Sequence, residues 1–297
     1  MIKLAIIGLG DIARYYVKGL RNSKLYEVVA VCDINDNATA KSEYFVPFFK
    51  SYTEMTKVAK PDCCLVTVNE QFKYPIIVDL LSMGMNVLTE KPLALTKNQF
   101  NSLFSTAKEN NAILDIMYHY QYGGEVLFLK DYVKTMGALK TGTILLHESY
   151  AYNKNCEIDK NFNHKEAWID NGINAVSVFD LLVNLNDYNL FYKNDIRTTA
   201  LDCIATERVF KDNQGNMLKI LVDWRTPSNK KYFIFEYEGG IILVDSKELK
   251  VYKDGECIYN QSINYPRMYD QYDYYFNNCE IQNNYEKHQR IHRLIYL

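Results

Sequence analysis

The feature that most constrains the fold of this chain is a motif of small residues near its amino terminus. Residues Gly8–Ala13 read GLGDIA, with the spacing G-x-G-x-x-A, and they join an apolar run, Lys3–Ile7, to a segment with helical periodicity, Asp11–Leu20. The first glycine permits a tight turn, the second lets another molecule approach the backbone, and the small third residue lets the helix pack on the strand. The motif therefore predicts a strand, a tight turn and a helix, the opening of a βαβ unit.

Short β-branched runs and helical segments alternate through the rest of the first third of the chain. The predicted strands are Lys3–Ile7, Val28–Cys32, Cys64–Val68, Asn86–Thr89 and Ile113–Met117. The predicted helices are Asp11–Leu20, Ala38–Tyr44, Tyr74–Met83 and Lys97–Asn110, the last with Thr96 as its N-cap. This alternation is typical of a parallel sheet with helices on both faces. We therefore predict an α/β, doubly wound Rossmann domain over residues 1–122.

A different pattern follows, in which long alternating strands dominate. After a helix at Glu125–Met136, the predicted strands are Gly142–Ser149, Thr198–Phe210, Met217–Arg225, Lys231–Glu238 and Gly240–Asp245. One strong helical segment, Ile173–Asn184, interrupts them. Alternation of apolar and polar residues favours antiparallel pairing with one covered face. Residues 123–297 are therefore predicted to form an α+β domain with a large, mostly antiparallel open sheet.

Composition and charge exclude several classes of partner. The 34 Lys and Arg residues balance 36 Asp and Glu residues, so no general attraction to nucleic acid or to an anionic membrane is expected. The seven cysteines form no C-x-x-C pair and no cluster with zinc spacing, so we predict reduced thiols and no metal site. No apolar run has the length of a membrane span or of a secretory signal, and a cytoplasmic location is expected.

A carboxylate at the end of the second predicted strand adds chemistry to the glycine motif. Asp33 follows Gly10 by 23 residues, the position from which a carboxylate can accept hydrogen bonds from an adenosine ribose diol. The helix after the motif would face a pyrophosphate with its amino terminus. An acidic group would repel a 2′-phosphate, and no arginine occurs in Ile34–Asn37, so NAD is favoured over NADP. The predicted cofactor-binding residues are Gly8, Leu9, Gly10, Asp11, Ile12, Asp33, Ile34, Thr67, Val68, Asn69, Glu90 and Lys91.

The segment after the fourth predicted strand carries a family resemblance. Residues Thr89–Ala94 read TEKPLA, and this resembles the E-K-P signature of the Gfo/Idh/MocA oxidoreductases. Together with the glycine motif, the resemblance covers the whole predicted Rossmann domain. Lys91 follows a parallel strand at its carboxyl end, where open α/β sheets bind ligands. The resemblance implies that Lys91 hydrogen-bonds the reacting hydroxyl, and its ammonium would favour a developing alkoxide.

A second set of matches lies in the other half of the chain. Residues Trp168–Ala175 read WIDNGINA, which puts Asp170 and Asn174 four residues apart and on one helical face if the helix begins early. The wider family has D-x-G-x-H here, and the variant with Asn174 resembles the aldose 1-dehydrogenase branch, the L-arabinose and D-galactose 1-dehydrogenases. This resemblance implies that Asp170 is the catalytic base and that Asn174 positions the hydroxyl. The alternative for Asp170 is a helix N-cap without chemistry.

Further matches to that branch occur in order along the chain. They imply sugar contacts from His119, from Glu148 and from Tyr232, which stands where the branch has tryptophan. Residues Asp223–Arg225 repeat its D-W-R strand, and Tyr265–Tyr272 resembles its Y-P-x-x-Y-x-x-F segment. The alternatives are structural: a histidine at a domain junction for His119 and an outward, lysine-paired strand residue for Glu148. The predicted substrate-binding residues are Lys91, His119, Glu148, Asp170, Asn174 and Tyr232.

These resemblances imply an NAD-dependent enzyme that oxidises a sugar carbinol, with an aldose giving a lactone. The alternatives are a nucleotide-sugar 3-dehydrogenase, an inositol dehydrogenase, and a non-catalytic dinucleotide-binding sensor or regulator of the same fold. The expected partners are a small-molecule carbohydrate and further copies of the chain. A homodimer or homotetramer through the sheet of residues 123–297 is expected from the family resemblance.

Overall fold

A computed structural model describes residues 1–36, 41–149, 166–198, 203–263 and 267–297. The chain divides into two compact units. The first unit comprises residues 1–122 and 266–288, and the second comprises residues 123–265 and 289–297. In the described ranges, no helix has both the length and the apolar character needed to cross a membrane.

The first unit contains a parallel sheet that, within the described residues, has six strands. These are β1 Ile2–Ile7, β2 Tyr26–Cys32, β3 Phe48–Phe49, β4 Cys63–Val66, β5 Asn86–Glu90 and β6 Leu114–Met117. Their order is β3-β2-β1-β4-β5-β6, with all neighbours parallel. All four residues of β4 are buried, because a parallel sheet is covered on both faces. The predicted doubly wound Rossmann sheet is confirmed, and the two-residue strand β3 is added to it.

Helices connect these strands. A 3₁₀ segment, Asp11–Tyr16, leads into α1 Val17–Asn22, and the later helices are α2 Tyr52–Ala59, α3 Glu70–Ser82 and α4 Lys97–Glu109. The predicted N-cap of α4 is confirmed, since the Thr96 hydroxyl accepts a hydrogen bond from Gln99 N at 3.2 Å. Helix α2 was not predicted. The predicted helix Ala38–Tyr44 lies partly outside the described residues, and residues Lys41–Glu43 form a 3₁₀ turn.

The second unit contains a sheet of eight strands in the part of the chain that the structure describes. They are β7 Leu139–His147, β8 Asn189–Ile196, β9 Ala205–Lys211, β10 Met217–Asp223, β11 Lys230–Tyr237, β12 Gly240–Val244, β13 Glu248–Lys253 and β14 Glu256–Ser262. Their order is β14-β13-β12-β11-β7-β10-β9-β8, and β7–β10 is the parallel pair among antiparallel ones. The predicted mostly antiparallel sheet is confirmed. The start of the predicted strand Thr198–Phe210 lies partly outside the described residues.

One face of this sheet is covered by helix. The helices are α5 Gly124–Tyr132 and α6 Ile173–Phe179, and a π-helical turn, Trp168–Gly172, leads into α6. Every residue of α6 is buried, and the ring centroid of Phe179 lies 5.9 Å from that of Phe235 on β11. Helix α6 is therefore the central helix of this unit. It is shorter than the predicted Ile173–Asn184, because a turn begins at Asp180.

The carboxyl-terminal helices are α7 Arg267–Asn278 and α8 Tyr285–Ile295. Helix α7 belongs to the first unit, where its residues Tyr272, Tyr275 and Phe276 are buried in the core. The rings of Tyr16 and Tyr272 meet edge to face at 4.7 Å. The compact units thus differ from a continuous division at residue 123, because an aromatic face of α7 completes the core of the first unit.

Candidate cofactor site and active-site residues

The loop after β1 has a backbone conformation that requires glycine at its first position. Gly8 has a φ of +98°, which favours glycine strongly. A Cβ on Gly8 would lie 2.9 Å from the backbone nitrogen of Val68. The Gly8 amide donates to the Cys32 carbonyl at 2.9 Å, and the Thr67 hydroxyl donates to the Gly8 carbonyl at 2.6 Å. The loop is therefore tied to the ends of β2 and β4.

The second glycine of the motif lies in a different environment. Gly10 is exposed and precedes the 3₁₀ segment, and a Cβ built on it would meet nothing within 4 Å. Space is therefore open directly over the backbone at this point. This is the geometry that the motif requires if a pyrophosphate is to approach the main chain, so the residues present fit a dinucleotide.

Asp33 connects the end of β2 to the glycine loop. Its Oδ2 accepts a hydrogen bond from Leu9 N at 2.7 Å, and its Oδ1 accepts one from Asn35 N at 2.8 Å. Each carboxylate oxygen can accept a second hydrogen bond, so the half-buried side chain can also accept ribose hydroxyls. Two lysines lie close to the segment that follows Asp33, since Lys41 and Lys50 both form ion pairs with Asp36. The sequence analysis did not identify these two cations, because they follow β2 in the chain and only the fold places them beside Asp36.

The other predicted cofactor-binding residues divide into buried and exposed groups. Leu9 is buried, Ile12 and Val68 are half-buried, and Asp11, Ile34 and Asn69 are exposed. Asn69 is the N-cap of α3, where its side chain accepts from Gln71 N at 3.3 Å. Their contacts with a cofactor stay predictions.

The E-K-P segment begins at the carboxyl end of β5. Glu90 is buried, and its Oε1 accepts a hydrogen bond from the Tyr16 hydroxyl at 2.9 Å. Burial raises the pKa of the Glu90 carboxyl above its ordinary value. Lys91 follows it, half-buried, and the bond from Lys91 to Pro92 is cis. Because β5 and β1 belong to one parallel sheet, Lys91 and the glycine loop lie along the same carboxyl edge.

A buried lysine that the sequence analysis missed holds this segment. The Lys73 ammonium, on α3, donates to the carbonyl oxygens of Glu90 and Pro92, at 2.8 Å in each case. Its side chain shares the inward face of α3 with Ile77 and Leu80, at spacings of four and seven residues. The sequence could have indicated this role, because Lys73 is a lysine on an otherwise apolar helical face. It was missed because the predicted helix began one residue later, at Tyr74.

His119 lies on the same edge of the first sheet. It opens a 3₁₀ turn, His119–Tyr122, that follows β6, the neighbour of β5, after one intervening residue. The side chain is buried, and its ring centroid lies 5.1 Å from that of Tyr120 and 5.5 Å from that of Tyr272. The first unit thus brings three predicted groups to one edge of its sheet. They are the glycine loop together with Asp33, then Lys91, and then His119.

In the second unit, a buried chain of hydrogen bonds joins the residue after β7, the π-helical turn before α6 and the residue after β10. The Asn171 amide donates to Glu148 Oε1 at 3.0 Å, and Trp224 Nε1 donates to Asn171 Oδ1 at 3.1 Å. All three side chains are buried. Glu148 therefore points to the helix side and is not an outward strand residue. Asn171, which the sequence analysis did not single out, is the central member of the chain.

Asp170 and Asn174 lie on either side of Gly172. Asp170 is half-buried within the π-helical turn, whose N-cap is Ala167, so the alternative of Asp170 as a helix N-cap is wrong. Asn174 is buried, and among the described residues its Oδ1 has no hydrogen-bond partner. A Cβ on Gly172 would lie 2.3 Å from the indole of Trp168, so glycine is needed where this ring packs. Turns of π-helix occur frequently at functional sites.

Tyr232 lies on the other face of the second sheet. Side chains alternate along β11, so that Phe233 and Phe235 are buried while Tyr232 is 39% exposed. Because Phe235 contacts α6, Tyr232 points away from that helix. The structure therefore does not bring Tyr232 together with Asp170, and the geometry corrects its grouping with the substrate-binding residues near α6.

Two further observations concern metal ions and thiols. Across the described ranges, no group of three or more histidine, cysteine, aspartate and glutamate side chains could hold a metal ion. The cysteines of these ranges are free thiols, and Cys63 and Cys64 are buried in β4. Cys156 lies outside the described residues.

Comparison with known proteins gives one family and several partial relatives. Residues 2–118 match the family profile described as GFO_IDH_MocA, oxidoreductase family, NAD-binding Rossmann fold. D-glucoside 3-dehydrogenase of Escherichia coli K12 is 30% identical over 146 residues, which cover 46% of this chain and 40% of that protein. Glycosyl hydrolase family 109 protein 1 of Akkermansia muciniphila is 23% identical over 145 residues, covering 45% and 30%. The chain therefore spans less than half the length of these curated relatives.

A solved structure shares the fold over a longer stretch. A dehydrogenase (MviM) from Clostridium difficile superposes with a TM-score of 0.80 at 20% identity, covering 99% of this chain and 97% of that one. The sequence match covers the glycine loop, Asp33 and the E-K-P segment that line the edge of the first sheet. Residues 2–118 therefore resemble the NAD-binding Rossmann domain of the Gfo/Idh/MocA family of oxidoreductases.

Proposed function

We propose that this chain is a nicotinamide-nucleotide-dependent oxidoreductase that oxidises a carbinol of a cyclic sugar or polyol. The observation that carries the proposal is the carboxyl edge of the first sheet. There the open backbone at Gly10, the Asp33 carboxylate and Lys91 follow strands of one parallel sheet. Open α/β sheets bind ligands at this edge.

The cofactor would be held by the glycine loop and Asp33. When bound, a nicotinamide nucleotide supplies the hydride acceptor. Gly10 leaves room for the pyrophosphate, and the remaining acceptor capacity of Asp33 suits a ribose diol. We propose NAD as the preferred cofactor because the Asp33 charge would repel a 2′-phosphate. The nearby Lys41 and Lys50 are both paired with Asp36, which reduces their pull on such a phosphate.

Lys91 would act on the hydroxyl that is oxidised. Its ammonium donates a hydrogen bond to the hydroxyl oxygen and stabilises the negative charge that develops there. The carbon–hydrogen bond breaks as hydride leaves, the hydroxyl proton passes to a general base, and the carbon–oxygen bond becomes double. The roles of Asp170 as proton acceptor and of Asn174 as positioning residue rest on the family resemblance. A carboxylate that accepts this proton is general base catalysis.

The position of oxidation on the ring is a choice between two reactions. Asn174, which cannot titrate, stands where the wider family has histidine, and this favours an aldose 1-dehydrogenase that makes a lactone. The likeness to a D-glucoside 3-dehydrogenase favours oxidation at C3, which makes a ring ketone. The two differ in one requirement, because lactone formation needs a free hydroxyl at C1.

The test is a screen of cofactor reduction by absorbance, with NAD and NADP each paired with several classes of sugar. The classes are free aldoses including L-arabinose and D-galactose, methyl glycosides, inositols and nucleotide sugars. Turnover of free aldoses alone supports lactone formation, whereas turnover of methyl glycosides supports ring-ketone formation. No turnover in any class, with NADH still bound in a fluorescence titration, would contradict an enzyme and favour a sensor.

The predicted homodimer or homotetramer through the open sheet is a separate proposal. Strand β11 presents Tyr232 and Ile234 on the face opposite α6, and Ile241 of the adjacent β12 is also exposed. Exposed apolar side chains of this kind suit contact with a second copy. Light scattering tests the proposal, and a monomer at micromolar concentration would contradict it.

A further inference from the structure

We propose that Lys73 is a positioning residue for Lys91. It holds the backbone on both sides of Lys91 and so sets where the Lys91 ammonium lies. This inference rests on the proposed function, since Lys91 is there the group that acts on the substrate hydroxyl. Lys73 itself is 2% exposed and therefore acts through the segment that it binds.

The geometry is a clamp with two points. An ammonium has three N–H donors, and two of those on Lys73 are directed to the Glu90 and Pro92 carbonyls, each at 2.8 Å. These residues are the immediate neighbours of Lys91 on either side. A donor that holds the carbonyls before and after one residue restricts the backbone rotations of that residue. The direction in which the Lys91 side chain leaves the main chain is thereby restricted too.

Packing alone does not account for a lysine at this position. The burial of an ammonium is unfavourable unless it is compensated, whereas an unbranched apolar side chain would fill the same inward face of α3 beside Ile77 without that cost. The compensation comes from the two carbonyls and from the buried Glu90 carboxyl. Burial raises the pKa of Glu90, while the charges of Lys91 and Lys73 both oppose that rise. The charge on Lys73 thus stabilises the E-K-P segment, and we expect its removal to disturb that segment before the rest of the unit.

The kinetic test compares Lys73→Met with Lys73→Arg and with a control, Lys108→Met, at an exposed position of α4. We expect Lys73→Met to lower kcat about 100-fold with sugar KM and NADH Kd changed less than about threefold, because the defect lies in positioning. Lys73→Arg keeps charge and donors and should recover about tenfold of that loss. Lys108→Met should match the parent. An unchanged kcat in Lys73→Met, or an effect confined to KM, would overturn the proposal.

A double variant separates positioning through Lys91 from an independent role. If Lys73 acts through Lys91, the variant with Lys73→Met and Lys91→Ala should be no slower than Lys91→Ala alone. Multiplied losses would mean that Lys73 acts separately and would overturn the inference. Thermal midpoints of all variants are measured alongside, and a loss of kcat at temperatures far below each midpoint cannot come from unfolding.

Hydrogen exchange of the free protein tests the clamp without any substrate. Faster amide exchange over residues 89–94 in Lys73→Met, with β1 and β4 unchanged, is the expected result. Unchanged exchange in that segment would overturn the proposal. This readout also separates the two hypotheses. If the parent oxidises no sugar yet the segment loosens in Lys73→Met, the proposed function fails while the positioning of Lys91 by Lys73 stands.

Discussion

The glycine loop of the first unit and the start of α6 in the second unit both contain residues predicted to meet a ligand, but they are built differently. In the loop, main-chain amides are the donors: the Gly8 amide donates to the Cys32 carbonyl and the Leu9 amide donates to Asp33 Oδ2. At α6, the donors and acceptors are buried side chains, since Asn171 joins Glu148 to Trp224. Backbone geometry depends on residue spacing along the chain, whereas a side-chain network depends on which strands and helices meet.

The same contrast appears in how each region tolerates an added methyl group. The space over Gly10 is open, but the space beside Gly172 is filled by an indole ring. The first region leaves room for something outside the chain, and the second is closed by the chain's own packing. Four predictions test how far this difference extends.

Lys91→Ala should have the largest effect. We expect kcat/KM to fall about 1000-fold, or about 4 kcal/mol, because the variant lacks the ammonium that stabilises developing charge on the hydroxyl. NADH affinity should stay within about threefold, since the glycine loop and Asp33 are unchanged. Steady-state kinetics and fluorescence titration measure the two quantities, with Lys97→Ala, an exposed position on α4, as control. Normal turnover by Lys91→Ala would remove the E-K-P segment from the active site.

Gly172→Ala and Gly10→Ala form a matched pair across the two regions. A Cβ at 2.3 Å from the Trp168 indole is expected to lower the free energy of unfolding by about 2–3 kcal/mol, because the ring or the helix must shift. The Gly10→Ala protein should fold with nearly parental stability and bind NADH at least about tenfold more weakly, because its methyl fills the approach to the backbone. Urea denaturation and NADH titration check both. The opposite pattern would contradict the assignment of packing to one glycine and ligand access to the other.

Asn171→Ala tests the side-chain network of the second unit. The variant removes one partner each from the buried Glu148 carboxylate and the Trp224 indole, and we expect a loss of about 2 kcal/mol in stability. NADH affinity should be unchanged. An exposed asparagine, Asn194 on β8, provides the control substitution. A neutral effect on stability together with weakened NADH binding would break the division between the two regions.

Alkaline pH should lower the free energy of unfolding of the first unit through its buried Cys64 thiol. Burial raises the pKa of Cys64 from its ordinary value of 9.0 to about 12. The thiol ionises in the unfolded chain as pH rises above about 9 but stays protonated when folded, so stability present below that pH is lost above it. From pH 9 to pH 11 this contributes a loss of about 2 kcal/mol, since one pKa unit corresponds to about 1.4 kcal/mol. Cys64→Val should show a correspondingly shallower fall in urea denaturation, and an identical slope would contradict it.

The success of sequence reasoning followed the same contrast. Strands β1, β2 and β4–β6 were predicted, because parallel strands buried on both faces leave continuous apolar runs in the sequence. Strand β14 was missed because it is exposed along its whole length and has no buried face to produce alternation. Strand β3 has two residues, too few for any period. Helix α7 was missed although its tyrosines are prominent, because its buried face completes a unit that begins more than two hundred residues earlier.

At the candidate site, the motif residues were found and their supports were not. Gly8, Gly10 and Asp33 could be identified from their spacing in the sequence, because the glycine motif and the acidic residue after the second strand occur at typical separations. Lys73 binds carbonyls 17 and 19 residues away, and Asn171 binds side chains 23 and 53 residues away. No periodicity links such partners. Four of the 25 tyrosines, Tyr16, Tyr26, Tyr272 and Tyr275, likewise lie in one core although they are far apart in the chain.

By itself the sequence determined the doubly wound domain, the dinucleotide loop and the position of Lys91, because each depends on neighbours in the chain and on the alternation of strand and helix. Only the tertiary structure decided that α7 completes the first core, that Lys73 holds the carbonyls around Lys91, and that Tyr232 faces away from α6. Those facts depend on which face of each helix or strand is buried. Which face is buried depends on packing between segments that are distant in the chain.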